Sequence, residues 1–262
     1  MSLLPTFQSF RDELDDHNDR REWLIKASRD VTNIAKKTIF LLHRVVLESE
    51  NPFDDRSASI KASKQGREKL VQIQQIYASL SHELVGEKYW RYQRQVSPGL
   101  QEFIEALAFA HFLEFSTLIS FQQVQDTLRD SNGNLYFPLT ISDYLLGVSD
   151  LTGELMRHAI SGFSKRGGRS NALAVCAFVR NCKADFERFT PHVRDLSKKQ
   201  SVTAESLVKI EDAAYAAVVR SSEYDLTPDM LDDLVKSYLS NQNDERPGER
   251  WRDQDRDTDF FS

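Results

Sequence analysis

The stretch PGLQEFIEALAFAHFLEF, Pro98 to Phe115, constrains the fold more than any other part of the chain. Ser97 is a suitable helix cap, and Pro98 suits the first helical position, where its missing N–H costs nothing. Leu100, Phe103, Ile104, Ala106, Leu107, Phe109, Phe112 and Leu113 then cover nearly every face, and a helix without a polar stripe is a buried one. Yet Glu102 and Glu105 sit within it at i and i+3, side by side, with no Lys or Arg three or four residues away. Two carboxylates on a buried helix must be protonated, meet cations from other elements, or bind a metal ion.

The rest of the chain also reads as helix. From a cap at Thr6, the residues Trp23, Leu24, Ala27, Val31, Ile34, Ala35, Ile39 and Leu42 recur at helical spacing as far as about Glu48, ahead of the Asn51-Pro52 break. Lys36, Lys37, His43 and Arg44 on this helix read by default as solvated charges. A second long helix is expected from Ser57 to about Gln95. Near its end Tyr89, Trp90 and Tyr92 interleave with Lys88, Arg91 and Arg94. That pattern suits single-stranded nucleic acid, through stacking and phosphate contact. It equally suits a helix with aromatics inward and charges outward.

Ser120 caps a short helix to about Arg129, and DSNGN (Asp130 to Asn134) marks a turn. The helix that begins at Ser142 places Asp143, Asp150, Glu154 and Arg157 on one face, flanked by Gly147 and Gly153, where a second helix or a phosphate has room to approach. SKRGGRS (Ser164 to Ser170) is a basic glycine-rich loop. Further helices are expected over about Asn171–Phe189, Arg194–Arg220 and, after Thr227-Pro228, to Leu239. No segment alternates with period two. The fold class is therefore all-α, one bundle of roughly seven to nine helices, long and antiparallel. The helical domain spans residues 1–240, and the charged tail 241–262 has the composition of a disordered segment.

Composition narrows the function. Net charge is −6 over 262 residues, which argues against a strongly basic nucleic-acid binder without excluding local patches. Apolar runs are too short or too charged to cross a membrane. The N-terminus turns acidic too early for a signal peptide, and Cys176 and Cys182 lack a second pair to form a zinc site, so both are expected as buried free thiols. If Glu102, Glu105, Asp150 and Glu154 converge, four carboxylates make a hard oxygen site suited to Mg²⁺ or Mn²⁺. Such an ion can bind a phosphodiester and activate water. A di-iron bundle would need Glu-x-x-His, whereas Glu154 and His158 are four apart. From spacing alone, a helical scaffold whose acidic residues pair with Arg or Lys remains the competing reading.

KKTIFLLHR (Lys36 to Arg44), GLQEFIEALAF (Gly99 to Phe109) and DYLLGVSDLTGELMR (Asp143 to Arg157) together resemble the translin-associated factor X branch of the translin family. A weaker likeness continues through KIEDAAYAAVVRSSE (Lys209 to Glu223), and the whole runs from Phe7 to about Leu239. The resemblance implies an all-α bundle and a hollow mixed octamer in which translin supplies most of the nucleic-acid-binding shell. It further implies that subunits of this branch carry an interior Mg²⁺-dependent endoribonuclease site for single-stranded RNA, such as passenger-strand fragments of small RNAs or tRNA processing fragments. Matched residue by residue, EFIE places catalytic, metal-binding glutamates at Glu102 and Glu105. DLTGE, absent from translin itself, places the catalytic aspartate at Asp150 and a further metal-proximal carboxylate at Glu154. Lys37, Arg91, Arg94 and Arg157 are then the candidates to hold RNA phosphates. The longer basic extension at the start of many family members has no counterpart here, so cytoplasmic residence is the default expectation, with nuclear entry open.

Overall fold

A computed structural model describes residues 4–48, 55–163 and 168–223, together with Met230, Asp233 and Ser237. Among the described residues there are seven α-helices and no strand: α1 (Leu4–Leu47), α2 (Asp55–Leu80), α3 (Glu87–Phe115), α4 (Phe121–Asp126), α5 (Ile141–Phe163), α6 (Gly168–Glu187) and α7 (Leu196–Glu223). The expected helix at Thr227–Leu239 falls almost wholly outside the described residues. So do the Asn51-Pro52 break, the charged tail and most of the SKRGGRS loop.

Helix α3 is the centre of the bundle. It packs on α1, α2 and α5, while α5 in turn packs on α6 and α7. Phe103, Ile104, Ala106, Leu107, Ala108, Phe109 and Ala110 are buried in succession, as expected for a helix apolar all round. Tyr77 of α2 sits edge-on to Phe103 and Phe137, and Phe112 packs against Phe178 of α6.

Two helix boundaries differ from those the sequence suggests. The second helix does not run to Gln95. It ends at Leu80, a short 3-10 turn follows at Ser81–Glu83, and Gly86 breaks the chain with φ +60°, a left-handed value that glycine adopts freely. Ser97 and Pro98 are accordingly not a cap and first turn. Pro98 lies inside α3, which begins at Glu87 and continues unbroken for 29 residues, about 43 Å. The ring removes one rung of the helical ladder. The next N–H, that of Gly99, donates across to Ser28 Oγ of α1 at 3.0 Å, so the interruption is absorbed by the neighbouring helix.

Other boundaries follow local chemistry. Ser120 forms a full capping box with Gln123, each side chain bonding the other's backbone N–H. Asp130 Oδ1 accepts from the N–H groups of Asn132 and Asn134, which fixes the DSNGN turn. Gly147 permits the approach of α5 to α3: a Cβ there would lie 2.7 Å from Ile104 Cβ and 2.9 Å from the Gln101 carbonyl oxygen. Cys176 and Cys182 are buried and unpaired, as expected. No helix among the described residues is long and apolar enough to cross a membrane.

Candidate functional site: an acidic cavity among four helices

The cavity lies where α1, α3, α5 and α7 meet, with a volume of about 910 Å³. Helix α3 contributes Glu102 and Glu105, and α5 contributes Asp150, Gly153, Glu154 and Arg157. Helix α1 contributes Lys36, Ile39, Phe40 and His43, and α7 contributes Lys199. All four carboxylates singled out in the sequence thus face one space. The step of three in α3 and the step of four in α5 put each pair on one helix face, and the two faces oppose each other.

Each carboxylate but one has its own cation. Lys199 Nζ donates to both oxygens of Asp150 at 2.6 Å. Glu154 Oε2 lies 2.7 Å from His43 Nε2, and its Oε1 accepts from Arg157 at 2.8 Å. Glu102 sits 3.6 Å from Lys36. Glu105 has no cation within ion-pair distance among the described residues. Burial pushes its carboxyl up to about 9, and the charges of Asp150, Glu154 and Glu102 push the same way. Burial also raises Glu102 and Asp150, opposed by Lys36 and Lys199 respectively.

The other candidates divide. Arg157 lines the cavity, while Lys37 lines an adjoining groove with Leu41, Arg44 and Lys69. Arg91 and Arg94 line neither, and Arg91 instead reaches His17 at 2.8 Å. In their segment Tyr89 and Tyr92 are buried, so the inward-aromatic arrangement holds for both, while Trp90 stays exposed. Asp143 lies two turns before Asp150 on the same face of α5 and does not line the cavity. It is buried, and accepts from Gln93, Gln101 and the Thr140 hydroxyl, a local polar cluster away from the cavity. Gly153, unlike Gly147, meets nothing: a Cβ there would enter open space on the cavity wall.

Three residues of the site escaped the sequence reading. Lys36 is solvated as the sequence suggests but also lies beside Glu102, whereas His43 is not a solvated charge: it is largely buried against Glu154, its ring 4.6 Å from that of Phe109. Lys199 carried no signal of its own. The signal available was indirect, since carboxylates without partners on their own helix require cations from another.

The donor set suits a hard divalent ion: four carboxylates, no thiol, and one cavity open enough to admit it. With these side chains engaged in ion pairs, no three His, Cys, Asp or Glu groups among the described residues converge closely enough to hold one. Lys199 occupies both oxygens of Asp150, so a metal that used Asp150 would compete with Lys199 there.

The fold and cavity define a class: an all-α bundle with a buried acidic chamber rimmed by cations. Residues 19–221 match the Translin family model, and the chain belongs to that family. It is 35% identical to Translin-associated protein X of Mus musculus, over 92% of this chain and 87% of that protein. It is 31% identical to the Translin-associated protein X homolog of Schizosaccharomyces pombe, over 83% of this chain and 89% of that one. Among solved structures, a chain of the AfC3PO–duplex RNA complex superimposes with a TM-score of 0.61 at 19% identity, covering 82% of this chain and 97% of that chain.

Proposed function

We propose that this chain is the Mg²⁺-dependent endoribonuclease subunit of a translin-type complex and cleaves single-stranded RNA, with Mn²⁺ as an alternative ion. One observation carries the reading: Glu102, Glu105, Asp150 and Glu154 line a single cavity although they come from two helices. Glu102, Glu105 and Asp150 would hold the ion. Glu154, held between His43 and Arg157, would orient an attacking water or add a further oxygen. A cation held there would supply Lewis-acid chemistry, lowering the pKa of a water and offsetting charge on the phosphate. Arg157 and Lys36, both largely exposed at the rim, are positioned to receive phosphate oxygens. The packing of Phe109 against His43 holds the imidazole, and through it the Glu154 carboxylate, in a fixed orientation.

The partnership is supported by surface chemistry. Phe7, Phe10 and Leu14 are exposed at steps of three and four on the first half of α1, a stripe suited to a second helical subunit. A second reading, a non-catalytic subunit that stabilises translin and binds nucleic acid or proteins, is favoured by the ion pairs that already occupy three of the four carboxylates.

The test uses the complex assembled with translin and a labelled single-stranded RNA. Cleavage should require Mg²⁺ and stop in EDTA. Glu105→Ala and Asp150→Ala should each lower the rate by more than about 100-fold while assembly and RNA binding persist. Unchanged cleavage in both variants would place the activity in another subunit, and no cleavage by the parent complex would favour the scaffold.

A further inference from the structure

Beside the acidic cavity lies a second groove of about 370 Å³, lined by Lys36, Lys37, Phe40, Leu41, Arg44 and Lys69. The two spaces share Lys36 and Phe40, so they adjoin along α1. The helix period explains the arrangement. Residues 36, 40 and 43 face the carboxylates, whereas 37, 41 and 44 face Lys69 of α2. Phe40, on the border, is 68% exposed. Lys37 and Lys69 have no carboxylate partner among the described residues, and Lys69 Nζ reaches only the Lys37 carbonyl oxygen, at 3.4 Å. The groove therefore has four cations, one bare aromatic ring and no acidic lining residue, against four carboxylates next door.

We propose that this groove is the path of the single strand into the acidic cavity: Phe40 stacks the base next to the scissile phosphate, and Lys37, Arg44 and Lys69 hold the phosphates that follow. The assignment rests on the RNA-cleaving reading above and adds where the strand lies. An aromatic ring between cations provides both contacts that an unpaired strand offers, a base face and a charged backbone. Carboxylates repel phosphate, so a strand is drawn to the basic side and crosses to the acidic side only where a cation bridges it. Stacking and backbone contact read no base edge, so the path accepts any sequence and excludes a duplex, whose bases are already stacked.

The experiment photocrosslinks 4-thiouridine-containing single-stranded RNA to the full chain assembled with translin, in EDTA, and maps the crosslinked peptides by mass spectrometry. The peptide bearing Phe40 should be labelled. Phe40→Leu should reduce that crosslink about five- to 150-fold, the usual range for losing one stacked base, and Phe40→Trp should retain it. Lys37→Glu and Lys69→Glu should each weaken it at low salt and make it less sensitive to added salt, by about one phosphate contact. Crosslinks that miss this peptide, or a Phe40→Leu variant crosslinked as strongly as the parent, would overturn the assignment. Because EDTA removes catalysis from the readout, labelling at Phe40 without any Mg²⁺-dependent cleavage would sink the nuclease reading alone. Cleavage with no labelling there would sink this path alone.

Discussion

Glu105 sits among three other carboxylates with no cation of its own among the described residues, and its carboxyl is pushed up to about 9. As pH rises, the unfolded chain loses this proton near the ordinary value of 4.5, while the folded chain keeps it until about 9. The group therefore lowers folding stability progressively across that window and leaves it untouched below. In EDTA, Glu105→Gln should raise the melting temperature at pH 8, corresponding to about 1–3 kcal/mol, and change nothing near pH 4. A thermal melt of parent and variant at both pH values checks this, and equal melting at pH 8 would contradict it. The four carboxylates were visible in the sequence because their spacing in two helices is regular. Their partners were not: Lys199 lies 49 residues from Asp150 and His43 lies 111 from Glu154, so no local pattern joins them.

Among the elements, α5 separates two uses of glycine that the sequence treats alike. Gly147→Ala should cost about 1–3 kcal/mol, because the new methyl meets Ile104 and the rigid Gln101 carbonyl of α3. Gly153→Ala should be neutral or stabilising by up to about 1 kcal/mol, since the methyl enters open space and alanine is the better helix former. Denaturant midpoints of the two variants measure the contrast, and similar losses in both would refute it. Helix type was legible throughout, since long apolar stripes at period 3.6 leave little choice. Helix ends were less so. Pro98 looks locally like a start, and the contact between Gly99 N–H and Ser28, 71 residues away, which ties this part of α3 to α1, has no local signal. Conversely Gly86, the actual break, lies in a run whose apolar spacing gives no warning.

At the scale of the whole molecule, the cavity ties α1, α3, α5 and α7 together through groups drawn from all four helices. A divalent ion bound there should stabilise the fold as a unit, by about 2.7 kcal/mol at a hundred times its dissociation constant. Melting of the translin complex with and without Mg²⁺ should show this gain in the parent and lose it in Asp150→Ala, whereas an equal gain in both would place the ion elsewhere. The pairing of Lys199 with both oxygens of Asp150 has one more consequence, which concerns discrimination among ions. An entering ion must replace an ammonium group already seated on the carboxylate, with the neighbouring Lys36 and Arg157 repelling it. Sodium and potassium carry the same single charge as the group they would displace and gain nothing by the exchange. A small doubly charged ion would gain twice the attraction to the four carboxylates, so if the chamber takes an ion at all, these lysines would favour such an ion over ordinary salt.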